Sequence, residues 1–209
     1  MTRVRLVALV LCVVVMATAV SAATAMASEG EVVNAKGELF KGKPTETGGA
    51  TTFETTGGSK IKCSAFTIGE TGIPLTGCES SGIKCNSAGA KAGELLITAI
   101  EGKLPRTATK KLVSETKLTS TFEFECGSLV KIKIRGGLLT PAPTEKSLKT
   151  EFKVAVKQTK GVQELTEFEN EGKEKIKLVL ETSINGGAFT QTGAEFTETL
   201  LFPEAVEFR

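Results

Sequence analysis

Cys63, Cys78, Cys85 and Cys126 stand in a chain of 209 residues that holds no histidine. Without His there is no Ser-His or Cys-His catalytic pair and no imidazole for a metal. Without Trp or Tyr, the aromatic platforms of most sugar-binding and single-strand-binding surfaces are missing too. All 24 acidic side chains are Glu, so an EF-hand loop built on Asp and Asn is absent. Glu, Lys, Ser, Thr and Cys are left to carry any chemistry. No catalytic, cofactor or metal site is predicted, and thiol metal ligation lacks a Cys-x-x-Cys pair.

The cysteines find their use in where the chain goes. After Arg3 and Arg5, the apolar stretch from Leu6 to Val20 is too short to span a bilayer and is followed by the small-residue sites Ala23-Thr24-Ala25 and Ala25-Met26-Ala27. Residues 1–27 therefore read as a cleaved signal peptide that takes Cys12 with it, and the protein as secreted or held at the cell envelope, with no transmembrane segment in the mature chain. In an oxidising compartment four cysteines form two disulfides. Cys63 shares a face with Ile61, and Cys126 with Phe122 and Phe124, so both thiols point to a core. That predicts Cys63 with Cys126 and Cys78 with Cys85, the second closing the Glu79 to Lys84 loop. Loss of Arg3 and Arg5 from a formal charge of +2 leaves a near-neutral chain, with no basic field for nucleic acid.

Several short motifs resemble known chemistry, and each fails on context. Gly37 to Pro44 nearly spells a phosphate-binding loop but lacks the Ser or Thr after Lys43, a strand before it and a helix after it. Ser81-Gly82-Ile83-Lys84 has the Ser-x-x-Lys spacing of penicillin-binding enzymes, with Ser183-Ile184-Asn185 as a loose Ser-x-Asn, but no Lys-Thr-Gly exists. Leu104-Pro105-Arg106-Thr107 has Ala108 where a sortase signal needs Gly. The carboxylates Glu164, Glu167, Glu169, Glu171 and Glu174 surround Asn170 and Gly172, the pattern of a solvated hairpin tip. Threonines in Phe189-Thr190-Gln191-Thr192 and Phe196-Thr197-Glu198-Thr199 read as the solvent face of a sheet. An outer-membrane barrel would need aromatic girdles that this composition lacks.

These residues must be positioned by strands. Nearly every segment alternates with period two and is punctuated by Gly, Asn or Thr, and no long stretch carries a helical stripe. The fold class is all-β, a sandwich-like stack of antiparallel sheets or two β lobes. Strands are predicted over 51–56, 60–66, 73–78, 93–98, 111–118, 121–126, 130–135, 148–158, 162–168, 173–183 and 188–202. Residues 28–50 read as a weakly ordered segment and 51–209 as the body, with a sub-boundary near 140–147 at Pro141-Ala142-Pro143. One hairpin has a checkable register: if Gly127-Ser128-Leu129 is the loop, Cys126 faces Val130, Phe124 faces Ile132, Phe122 faces Ile134, and Glu125 and Glu123 meet Lys131 and Lys133. Leu148, Phe152, Val154, Val156, Ile176, Leu178 and Leu180 are expected to face inward, and Asn185-Gly186-Gly187 to turn with positive φ.

The run Lys62-Cys63, Thr76-Gly77-Cys78, Lys84-Cys85-Asn86-Ser87-Ala88-Gly89 and Ala92 to Leu95, followed by Ser183 to Phe189, resembles a family of uncharacterised secreted proteins of soil actinobacteria. That resemblance implies export and a disulfide-tied body and carries no activity. The expected function is a non-enzymatic structural or binding module at or near the envelope. Its partner would be an envelope polymer or another extracellular protein, met through the Cys78 to Cys85 loop or the Asn185 turn. The alternative is a secreted hydrolase with two Glu as acid and base, which needs two converging carboxyls, one of them buried.

Overall fold

The computed structural model describes residues 30–68, 72–143, 146–170 and 173–209. The predicted leader and its Cys12 lie outside these residues. Among those described no helix forms, and the chain folds as antiparallel β-structure. The first ten strands are β1 (Val32–Asn34), β2 (Thr45–Gly48), β3 (Thr51–Thr55), β4 (Lys60–Cys63), β5 (Ala65–Thr67), β6 (Ile73–Thr76), β7 (Glu79–Ser80), β8 (Ile83–Ser87), β9 (Glu94–Ile97) and β10 (Ile100–Lys103). They are followed by β11 (Val113–Leu118), β12 (Phe122–Cys126), β13 (Val130–Pro141), β14 (Lys149–Val156), β15 (Gln158–Thr159), β16 (Val162–Gln163), β17 (Glu167–Glu169), β18 (Lys175–Lys177), β19 (Leu180–Ile184) and β20 (Thr190–Phe208).

Eight strands close on themselves. β3 pairs β4, then β7, β8, β12, β13, β19 and β20 follow, and β20 returns to β3. A ring of this size leaves an interior just wide enough for side chains, and large ones such as Ile61, Phe124 and Ile132 share the core with small ones such as Thr182, Thr192 and Ala194. Thr192 and Thr182 hydrogen-bond to each other at 2.7 Å inside it. This corrects the solvent-face reading of Thr192, which is fully buried. A β-branched hydroxyl fits where the ring is narrow, provided it finds a partner.

Two strands outlast the barrel and carry the sheet beyond it. β13 leaves β12 after Ile134 and β19 after Gly136, and pairs β11 from Gly137 onward, and β11 in turn pairs β10. Gly136 has φ +88°, and a Cβ there would run into the Val179 carbonyl, so only glycine makes this bend. β20 passes from β3 and β19 to β14, β2 and finally β1, while β2 continues through β5 and β6 to β9. Where β20 meets β1 and β14, Phe152, Phe202 and Phe208 pack edge to face at 5.1–6.0 Å, with Phe40 against Phe202 at 5.3 Å. The β17–β18 hairpin lays Phe168 against Val113, Leu139 and Leu178.

The Cys126–Val130 hairpin has the expected register, with Phe124 opposite Ile132 and Phe122 opposite Ile134. Its outer face carries Glu123–Lys133 at 2.7 Å and Glu125–Lys131 at 3.6 Å. Leu148, expected inward, is exposed. Residues 30–50, expected to pack only partly, supply β1 and β2 and bury Val32, Val33, Phe40 and Glu46. Their partner, β20, lies at the far end of the sequence, where local pattern gives no hint of it.

Two disulfides form with a connectivity different from the expected one: Cys63–Cys78 and Cys85–Cys126. The thiols do face the core. However, the β4–β7–β8–β12 register sets Cys63, Cys78, Cys85 and Cys126 side by side in one row across four adjacent strands. Cys63 and Cys126 are then three strand spacings apart, about 14 Å, well beyond disulfide reach. Cys78 and Cys85 are neighbours, but the Cys85 N–H donates to the Cys78 carbonyl at 2.9 Å, which marks the hydrogen-bonded, wider kind of pair. Each therefore bonds to the cysteine on its outer side.

Candidate functional site

Along β20, Ala194, Phe196, Glu198 and Leu200 share one face, which puts a carboxylate in an otherwise apolar column. On the neighbouring strand β2, Gly48 sits opposite Glu198 and Glu46 opposite Leu200, so the two glutamates are diagonal neighbours on the inner face. A side chain at Gly48 would collide with the Phe66 ring, which lies over this spot and meets Phe196 edge-on at 5.3 Å.

The two carboxyls open on a cavity of about 130 Å³ between the β2–β5–β6–β9 extension, the β10–β11–β13 extension and one end of the barrel. Thr51, Ser114, Thr116 and Thr140 contribute hydroxyls to its wall, and all the remaining lining is aliphatic or phenylalanine. Ile68, Ile73, Ile97, Leu118 and Leu138 are only partly buried because they face this space. Among the described residues no Lys or Arg lines it.

Glu46 is 5% exposed, and among the described residues its Oε2 meets no hydrogen-bond donor. Burial, then the neighbouring Glu198 charge and a hydrogen bond with Glu198, push the Glu46 carboxyl well above the usual range. Burial also raises Glu198, while the hydrogen bond with Glu46 acts the other way. Two carboxyls can hydrogen-bond only through a proton on one of them, so the pair titrates as a unit and Glu46 holds its proton longer.

The opposite end of the barrel holds a polar space of about 670 Å³. Two of the stretches singled out in the sequence come together there: Ser80, Ser81 and Gly82 of the β7–β8 hairpin, and Ile184, next to the Asn185 turn. Ser81 and Gly82 form a two-residue turn with both φ positive (51° and 80°), so the Ser-x-x-Lys serine sits on no helix and no disulfide closes this loop. Asn185 and Gly186 also have positive φ, as expected, and the Asn185 side chain accepts the Lys131 N–H at 2.8 Å. The phosphate-loop-like stretch turns at Gly37, buries Phe40 and leads into β2 rather than a helix.

Of the acidic cluster, Glu167 and Glu169 lie on β17, Glu174 bonds Asn170 across the hairpin tip, and Glu169 pairs Lys110 at 3.0 Å; Glu171 lies outside the described residues. Among the described residues no group of Cys and Glu side chains is arranged to hold a metal.

Sequence reasoning missed Glu46 and Glu198. Glu198 had a readable signal, a charge at an inward position of the 194–200 alternation. Glu46 had none, because Thr45-Glu46-Thr47-Gly48 shows no apolar alternation at all. Compared with known proteins, the chain matches no family model, no curated protein and no solved structure.

Proposed function

We propose that this chain is a non-enzymatic binding protein that acts outside the cytoplasm, at or near the cell envelope, and that it seats a small ligand in the cavity beside Glu46 and Glu198. The observation that carries the reading is a mainly apolar cavity with a pair of carboxyls and a few hydroxyls in its wall. Apolar pockets with few, placed polar groups are the general form of small-molecule sites. The two disulfides are compatible with an oxidising, extracytoplasmic compartment, and residues 1–27 supply the export signal.

The glutamate pair also bears on the hydrolase alternative. Acid and base carboxyls in glycoside hydrolysis stand about 5 Å or more apart so that a sugar or water fits between them. Glu46 and Glu198 are instead diagonal neighbours on adjacent strands of one wall, not on facing walls with a substrate between them, which suits an anchor better than a pair of reacting groups.

A cavity of this size matches an aromatic ring: engineered apolar cavities of about 150 Å³ take up benzene. The test is calorimetric titration with toluene, with Leu138→Trp as the filled-cavity control. Saturable one-to-one uptake that Leu138→Trp abolishes is the expected result. No uptake by the folded parent chain would overturn the reading.

A further inference from the structure

We infer that the cavity selects a small amine, an ammonium group on an apolar body of about six to eight heavy atoms, with the head seated on Glu46 and Glu198. The inference rests on the cavity being the ligand seat and adds the chemistry of the head group. Three observations converge on it. Glu46 is almost wholly buried, lines the cavity and has an oxygen, Oε2, that no donor among the described residues reaches. A buried acceptor left in this state costs free energy that a bound donor would recover.

The second observation concerns charge. Two carboxyls share an apolar wall, and among the described residues no Lys or Arg lines the space to balance them. Proteins seldom bury anionic groups without a cation, and here the missing cation has room to arrive from outside. An ammonium brings three donors and no acceptor. One can meet Oε2 and another Glu198, while the Ser114, Thr116 and Thr140 hydroxyls, which can accept, border the same space.

Third, the competing head groups fit worse. A carboxylate or phosphate would set its negative charge against that of the Glu46–Glu198 pair in a low-dielectric site. A hydrocarbon would fill the volume and leave Oε2 unbonded. Volume then limits the body: about 130 Å³ holds one small ring or a short branched chain and excludes a long acyl chain.

The experiment compares four ligands of one shape, benzylamine, benzyl alcohol, toluene and benzoate, by calorimetry at pH 7.5 on the full disulfide-bonded protein. Benzylamine should bind at least tenfold tighter than toluene, benzyl alcohol should fall between them, and benzoate should not bind. Glu46→Gln and the double variant Glu46→Gln/Glu198→Gln should lose the benzylamine advantage and keep toluene binding, which also shows that they are folded. Toluene binding with no preference for benzylamine, or a preference that survives the double variant, would overturn the amine assignment and leave the cavity reading standing. If none of the four ligands binds, the cavity reading falls with it. Benzylamine uptake that persists in Leu138→Trp would place the amine elsewhere and overturn the assignment as well.

Discussion

An ionised carboxyl costs far more to move out of water than a neutral one, and at Glu46 the neighbouring Glu198 adds to that cost. The folded protein therefore binds protons at this pair that the unfolded chain releases at ordinary carboxyl pH. The sign follows from that linkage. A carboxyl with a raised folded pKa stabilises the fold least where it must ionise, so the pair's contribution declines as pH rises from about 4.5 upward. Urea unfolding at pH 5 and pH 8 should show the parent chain losing stability over that interval relative to Glu46→Gln, whose amide does not ionise. Equal losses in the two proteins would refute the buried pair. Glu46→Leu removes the orphaned acceptor and should stabilise the fold at pH 8 by about 1–3 kcal/mol.

The cysteines give a second residue-scale test. With sequence separations of 15 and 41, removing Cys63–Cys78 should cost about 3 kcal/mol and removing Cys85–Cys126 about 4 kcal/mol on the chain-entropy account. Non-reduced peptide mapping should recover these two linkages and no Cys78–Cys85 species. Thiol orientation was legible from which face each cysteine shares, but the partner was not. Pairing depends on strand order, and β8 comes to lie between β7 and β12 through contacts that local alternation does not record.

Among the elements, β13 shows how one residue serves two sheets. It is 12 residues long, and at Gly136 it exchanges the barrel strands for β11. Gly136→Ala must adopt a positive φ and also push against the Val179 carbonyl, so the loss should reach at least about 3 kcal/mol. Gly186→Ala, with the same sign of φ and open space around it, should lose only about 1–2 kcal/mol. Chemical denaturation of both variants decides the matter, and similar losses would mean the contact with Val179 is not what fixes the bend. Elements that alternate cleanly, such as β3, β12 and the first half of β13, were readable in the sequence. β2 was not, because its inward face holds a glutamate and a glycine rather than hydrophobic side chains. The same absence hid half of the candidate site.

At the scale of the whole molecule, one strand joins almost everything. β20 spans 19 residues and pairs with β1, β2, β3, β14 and β19. A chain ending at residue 189 should therefore show no cooperative thermal transition, even with both disulfides closed, as far-UV circular dichroism would register. A sharp transition in that fragment would mean the barrel stands without its closing strand. The all-β class and the antiparallel pairing were legible because period-two alternation reports a sheet with one covered face. Closure was not, since it turns on residues near 55 meeting residues near 192. This placement also sets a timetable. Synthesis proceeds from the other end, so five strands wait for a partner that emerges last. Until it does, the eight-strand ring stays open between β3 and β19, and among the described strands β1 and β14 have nothing to pair with.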